Sequence, residues 1–172
     1  DFLENHSETL EKANDKELDR AAEAAETALE AARKSMETID LESIKERLDE
    51  AFDSEAWKEI TERCIGCGAC TYLCPTCHCF DITDEDNGHG RGRRLRTWDS
   101  CQYPQFTLHA SGHNPRSEKT PRMRQRVMHK FSYTVENSGK IYCVGCGRCV
   151  AHCPVNLDIR EVLKIFTPAA QG

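Results

Sequence analysis

No apolar run in this chain approaches the ~18–20 residues that a membrane span needs, and no secretory signal is visible at its start. The first residue is Asp1 and not a methionine, so the missing signal carries little weight. Nucleotide chemistry lacks its marks as well: there is no Gly-x-Gly-x-x-Gly and no Walker loop. The histidines are scattered without paired carboxylates, so no catalytic constellation emerges, and His109, His113 and His129 read as structural or exposed. Apolar residues are scarce too, 38% against 30% charged, below the usual globular share. A large hydrocarbon core is excluded, and something else must help organise the 172 residues.

Cysteine is the one residue type present in excess. Eight of the 11 cysteines fall into two tight clusters. Their internal spacing is too short for a disulfide ladder, and an odd total fits complete pairing badly. The first cluster is CIGCGACTYLCP, with Cys64, Cys67, Cys70, Cys74 and then Pro75; the second is CVGCGRCVAHCP, with Cys143, Cys146, Cys149, Cys153 and then Pro154. Both follow the C-x2-C-x2-C-x3-C-P run of bacterial [4Fe–4S] ferredoxins. Three thiolates spaced by three on a tight loop can cap three corners of a cubane. The chain then turns helical, and the proline after the fourth cysteine steers that thiolate towards the other cluster. The expected ligand sets are therefore crossed: Cys64, Cys67, Cys70 and Cys153 for one [4Fe–4S] cluster, Cys143, Cys146, Cys149 and Cys74 for the second. Glycines 66, 68, 145 and 147 let backbone amides approach inorganic sulfur. Structural zinc is the competing reading, but zinc sites generally use two cysteine pairs, not triplets with a remote fourth.

Cys77, Cys79 and Cys101 are left over. They could complete a third metal site with His78 or a partner's residue; the blander reading is small buried thiols packed near the second cluster. One position differs between the motifs in a way that bears on electron affinity: Ala69 in the first is matched by Arg148 in the second. A guanidinium there could raise the potential of the second cluster or dock a partner.

The net charge of −6 hides an asymmetry. Residues 1–63 carry a balance of −11, residues 64–140 of +4 and residues 141–172 of +1. The acidic part reads as solvated helix faces, and the basic part surrounds the cysteine motifs, so nucleic acid is not an expected partner. Residues 8–39 read as one long helix, with Leu18, Ala22, Ala25, Leu29, Ala32, Met36 and Ile39 at alternating 4,3 spacing. Asp40 is an expected N-cap for a helix through Phe52, and Ser54 for another through Arg63 that Trp57 and Ile60 would anchor. Residues 81–140 form an insert with little strand periodicity and a loop-like 88–94. It ends in a helix capped by Thr120, with Pro121 at its first position and Met123, Val127, Phe131 and Val135 along one stripe. Val155 to Phe166 reads as a closing helix with Ile159, Val162, Leu163 and Ile165 as its apolar set.

Beyond the cysteines, CIGCGACTYLCPTCHCFD, RLRTWDSC, GHNPR with the arginine-rich helix ending MHKF, and CVGCGRCVAHCPV resemble the iron–sulfur electron-transfer proteins of anaerobic oxidoreductase complexes. That family holds the A-type component of anaerobic sulfite reductase and the sulfhydrogenase beta subunit. The resemblance covers residues 57 to about 165. It implies a non-catalytic electron-transfer subunit that serves as a cytoplasmic wire between a flavoprotein handling NAD(P)H and a catalytic subunit. The expected architecture is mainly α: an acidic helical extension over 1–56 and a ferredoxin-like two-[4Fe–4S] domain over 57–172 with insert 81–140. An iron–sulfur regulatory or assembly module is the alternative, and an enzyme with a substrate site at the extra cysteines is a third reading.

Overall fold

A computed structural model of the chain describes residues 2–36 and 39–167. They group into two compact units, Asp1–Thr38 and Ile39–Gly172. Residues 39–56, expected with the acidic extension, thus group with the second unit.

The first unit holds α1 (Phe2–Asn5) and α2 (Asp15–Met36). The helix expected from residue 8 starts at 15 because Asn14 closes a reciprocal cap: its side chain accepts from Glu17 N at 3.1 Å, and Glu17 Oε2 accepts from Asn14 N at 2.9 Å. Leu18 and Leu29 of the expected heptad stripe are exposed. The Met36 side chain and residues 37–38 lie outside the described residues, and Ile39 is buried in the second unit.

In the second unit α3 (Ile44–Glu50) and α4 (Ala56–Thr61) lead to the first motif. Asp40 does not cap α3 directly. It accepts from Glu42 N and Ser43 N, forming a turn that delays the helix to Ile44. Ser54 Oγ accepts from Ala56 N at 3.2 Å, close to the expected capping role. Trp57 is fully buried as expected. Its indole N–H donates to Ala51 O at 2.8 Å, and its ring lies 4.5 Å from Phe166. The short α5 (Ala69–Tyr72) follows within the first motif.

The insert departs from its expected loop character. Strands β1 (Phe80–Asp86) and β2 (Gly92–Trp98) form an antiparallel hairpin in the register Phe80↔Trp98 to Asp86↔Gly92. Only residues 88–91 of the loop-like stretch lie in the connection between the strands. The strands escape a periodicity test because neither face is buried, so no apolar alternation is needed. Charge complementarity takes its place: Arg94 pairs with Asp84 at 2.7 Å, Arg93 with Glu85 at 2.7 Å, and Arg96 stacks over Phe80 at 4.0 Å. The fold is therefore a small mixed one, 45% helical and 9% strand, and not simply mainly α.

Helix α6 (Lys119–Met128) runs on through a π-helical turn (His129–Tyr133) into α7 (Thr134–Ser138). It starts two residues before the expected Pro121, and Thr120 Oγ1 meets Thr61 Oγ1 at 2.9 Å instead of capping it. Met123, Val127 and Phe131 are buried as the stripe implied, while Val135 is half-buried. This face packs on α3 and α4. After α8 (Arg148–Ala151), α9 (Ile159–Phe166) closes the core. Its buried set is Ile159, Val162, Leu163 and Phe166, while Ile165 is exposed. The i, i+3, i+4, i+7 stripe from Ile159 ends on Phe166 and leaves Ile165 off the face. Replacing Trp57 by alanine is expected to lower stability by about 3–5 kcal/mol, and Ile165→Ala by less than ~0.5 kcal/mol. Urea unfolding of the two variants checks the pair.

Candidate metal centre

The two cysteine motifs fold alike. Gly68 and Gly147 precede α5 and α8 with left-handed dihedrals of 76°, −7° and 72°, −7°. The same backbone bonds then follow at an offset of 79 residues: Cys74 N to Thr71 O at 3.3 Å and Cys77 N to Cys74 O at 3.3 Å, matched by Cys153 N to Val150 O at 3.2 Å and Asn156 N to Cys153 O at 3.2 Å. Helices α5 and α8 pack on each other. Two backbone amides already donate to thiols, Gly66 N to Cys64 Sγ at 3.4 Å and Leu157 N to Cys153 Sγ at 3.2 Å. Amide donors of this kind favour thiolate ligands, and the tight loops present three cysteines each, so the residues fit an iron–sulfur group. Among the described residues, no three His, Cys, Asp or Glu side chains close around a point where a single ion would sit.

The eight predicted ligands differ in exposure. Cys67 and Cys146 are exposed; Cys64, Cys70, Cys74, Cys143, Cys149 and Cys153 are half-buried. Burial pushes the Cys70 thiol up, against the pull of the Arg126 charge. Cys74 is the opposite case. The Cys77 thiol donates to it, and with Thr76 and Lys130 holds it down at about 3, a thiolate at neutral pH; the same sharing pushes Cys77 up.

The residues around Cys74 were not legible as site residues. Lys130 Nζ donates to Cys74 Sγ, Thr76 Oγ1 and Tyr142 O, each at 3.1 Å. Thr76 Oγ1 also donates to Tyr142 O at 2.7 Å. One buried ammonium therefore ties the end of the first motif to the residue before Cys143. Burial works against the Lys130 charge, but Cys77 and Cys74 outweigh it and keep the group above its ordinary range.

Arg126 lies one turn earlier on the same face, 4% exposed. Burial opposes its charge as well, yet Cys70, Cys149, Cys101 and Cys77 together hold it above its ordinary range. Arg122, Arg126 and Lys130 thus form a buried cationic stripe at four-residue spacing, each one residue before Met123, Val127 and Phe131 of the adjoining apolar stripe. The arginine-rich sequence of 122–130 was the signal that could have found it. Arg148, the residue expected to favour reduction, is exposed.

The leftover thiols are also brought together. At the base of the hairpin Asp99 N donates to Cys79 O at 3.1 Å, which sets the Cys79 strand end beside Cys101. Ser100 Oγ meets Thr71 Oγ1 of α5 at 2.7 Å, and Gln102 Nε2 donates to Arg122 O of α6 at 3.1 Å. Cys101 is thereby pinned, buried, between the two helices. Its thiol bonds Cys79, holding Cys79 down at about 6 while Cys101 is pushed up.

A family model described as a 4Fe-4S dicluster domain matches residues 63–157. Over 163 residues, 95% of its length, the chain is 35% identical to Sulfhydrogenase 2 subunit beta of Pyrococcus furiosus, and it spans 47% of that relative. No solved structure matches it. No described helix is long and apolar enough to cross a membrane.

A side chain at Gly68 would meet both a left-handed backbone and the Tyr103 ring, with Cβ 2.8 Å from Cε1, whereas Gly147 has open space around it. Gly147→Ala is expected to cost about 1–2 kcal/mol through the left-handed backbone alone, and Gly68→Ala about 1 kcal/mol more through overpacking. Thermal unfolding of the anaerobically purified variants measures the difference.

Proposed function

The chain belongs to the family of proteins with a 4Fe-4S dicluster domain, and from that premise we propose that it is a non-catalytic electron-transfer subunit. In this reading residues 57–172 form a ferredoxin-like core carrying two [4Fe–4S] clusters. They relay single electrons between a flavin, NAD(P)H or ferredoxin module and the catalytic subunit of an anaerobic oxidoreductase complex, of hydrogenase or sulfite or sulfur reductase type, in the cytoplasm. The likeness to a sulfhydrogenase beta subunit supports the kind of complex. When bound, the clusters supply reversible one-electron chemistry.

The observation that carries the reading is the pairing of two equivalent motifs across α5 and α8, with Cys74 held beside the start of the second motif by Lys130 and Thr76. That placement favours crossed ligation, with Cys74 serving Cys143, Cys146 and Cys149, and Cys153 serving Cys64, Cys67 and Cys70. The exposed Cys67 and Cys146 offer an edge of each motif to a partner. Lys130 has two tasks here. It orients the Cys74 thiolate, and its charge offsets the negative charge that an added electron brings.

EPR of the reduced protein is expected to show two interacting signals from the motif clusters. In Cys74→Ala, loss should fall on the cluster of the second motif; loss confined to that of Cys64, Cys67 and Cys70 defeats the crossing. Redox titration tests the charge. Lys130→Met removes a cation 3.1 Å from a ligand sulfur and should lower one cluster potential by about 30–60 mV, up to about a tenfold shift in its reduction equilibrium. Arg148→Ala, at an exposed position, should move neither potential by more than ~10 mV because water screens it.

A further inference from the structure

Three thiols have no place in the eight-cysteine scheme, yet Cys77, Cys79 and Cys101 line one cavity. They reach it from separate directions: Cys77 and Cys79 from the loop after α5, Cys101 from the far side of the hairpin. The hairpin register and the Asp99 to Cys79 bond bring the two ends together, so the insert closes on these thiols and not on an apolar core. Arg126, His129 and Lys130 supply the basic part of the lining. Arg126 is almost wholly buried, and its Nε has no hydrogen-bond partner. A buried guanidinium with an unmet donor calls for an anionic neighbour.

We propose that Cys77, Cys79 and Cys101, with His129 as fourth donor, hold a third iron–sulfur cluster. Three thiolates and an imidazole are a known mode of metal ligation, and a thiolate-bound cluster carries the negative charge that Arg126 and Lys130 face. A mononuclear ion is the competing occupant, told apart by the acid-labile sulfide that only a cluster carries. The cavity measures about 10 Å3 as its thiols stand, because Cys79 and Cys101 turn towards each other in a hydrogen bond. Widening it starts from rotation about χ1 of three short side chains. The third cluster would adjoin both motifs, because Arg126 faces Cys70 and Cys149 as well as Cys77 and Cys101.

Iron and acid-labile sulfide analysis of the full chain, reconstituted anaerobically, tests this. The proposal expects about twelve iron and about twelve sulfide per chain. In the double variant Cys79→Ala, Cys101→Ala both should fall by about a third, with the EPR signals of the two motif clusters retained. About eight iron in the wild-type chain overturns the third cluster and leaves the relay standing. One additional iron or zinc without additional sulfide overturns it too, in favour of a mononuclear site. Where the double variant fails to fold, the wild-type stoichiometry alone decides, and iron held by neither motif defeats the relay reading separately.

Discussion

Two cations buried against sulfur govern this structure. Arg126 and Lys130 project from one rod, each 4% exposed, towards thiols contributed by four chain segments. Taking a guanidinium or an ammonium out of water costs several kcal/mol unless a partner meets it. The rod can therefore settle only when the ends of both motifs and the loops around Cys77 and Cys101 are in place. Formation of the helix and assembly of the cysteines are coupled for that reason.

The adjoining face of the rod supplies the ordinary hydrophobic part. Met123, Val127, Met128 and Phe131 face α3 and α4 with their Ile44, Leu48 and Trp57, and α9 closes on α3 and Trp57 with Val162, Leu163 and Phe166; together these make up most of the apolar core. Side-chain bonds lock the edges: Arg124 Nη1 donates to Phe52 O at 2.7 Å, and Ser132 Oγ donates to Asp49. The π turn between α6 and α7 loosens the rod where it passes the site. There the Lys130 carbonyl accepts from Tyr142 N at 2.9 Å as well as from Thr134 Oγ1 at 3.1 Å. Such turns recur at functional positions, and this one fixes the segment that introduces the second motif.

Much of the organisation was legible. The two cysteine runs, the anchoring Trp57, the apolar stripe through Phe131 and the closing helix follow from spacing and periodicity that depend on near neighbours. The misses have physical causes. The hairpin carries no buried face and is held by cross-strand charge, so hydrophobic alternation could not mark it. The start of α2 was set by an Asn14–Glu17 cap that outweighed the apolar spacing before it. Ile165 lost its place to Phe166 because the helical stripe advances by seven residues, not six.

What the sequence determined by itself is local: two cysteine loops with left-handed glycines, short helices after them, and an excess of thiols over apolar mass. Those features depend on residues a few positions apart, where backbone sterics and ligand spacing act directly. Tertiary structure alone decided which thiols meet which charges. Cys74 lies 56 residues from Lys130, and Cys79 joins Cys101 only through a hairpin with no apolar signature. In the sequence Lys130 and Arg126 stand only as members of the basic stretch around the cysteine motifs. Buried sulfur makes them part of the site, because a cation excluded from water is stable only beside the anions that the fold brings to it.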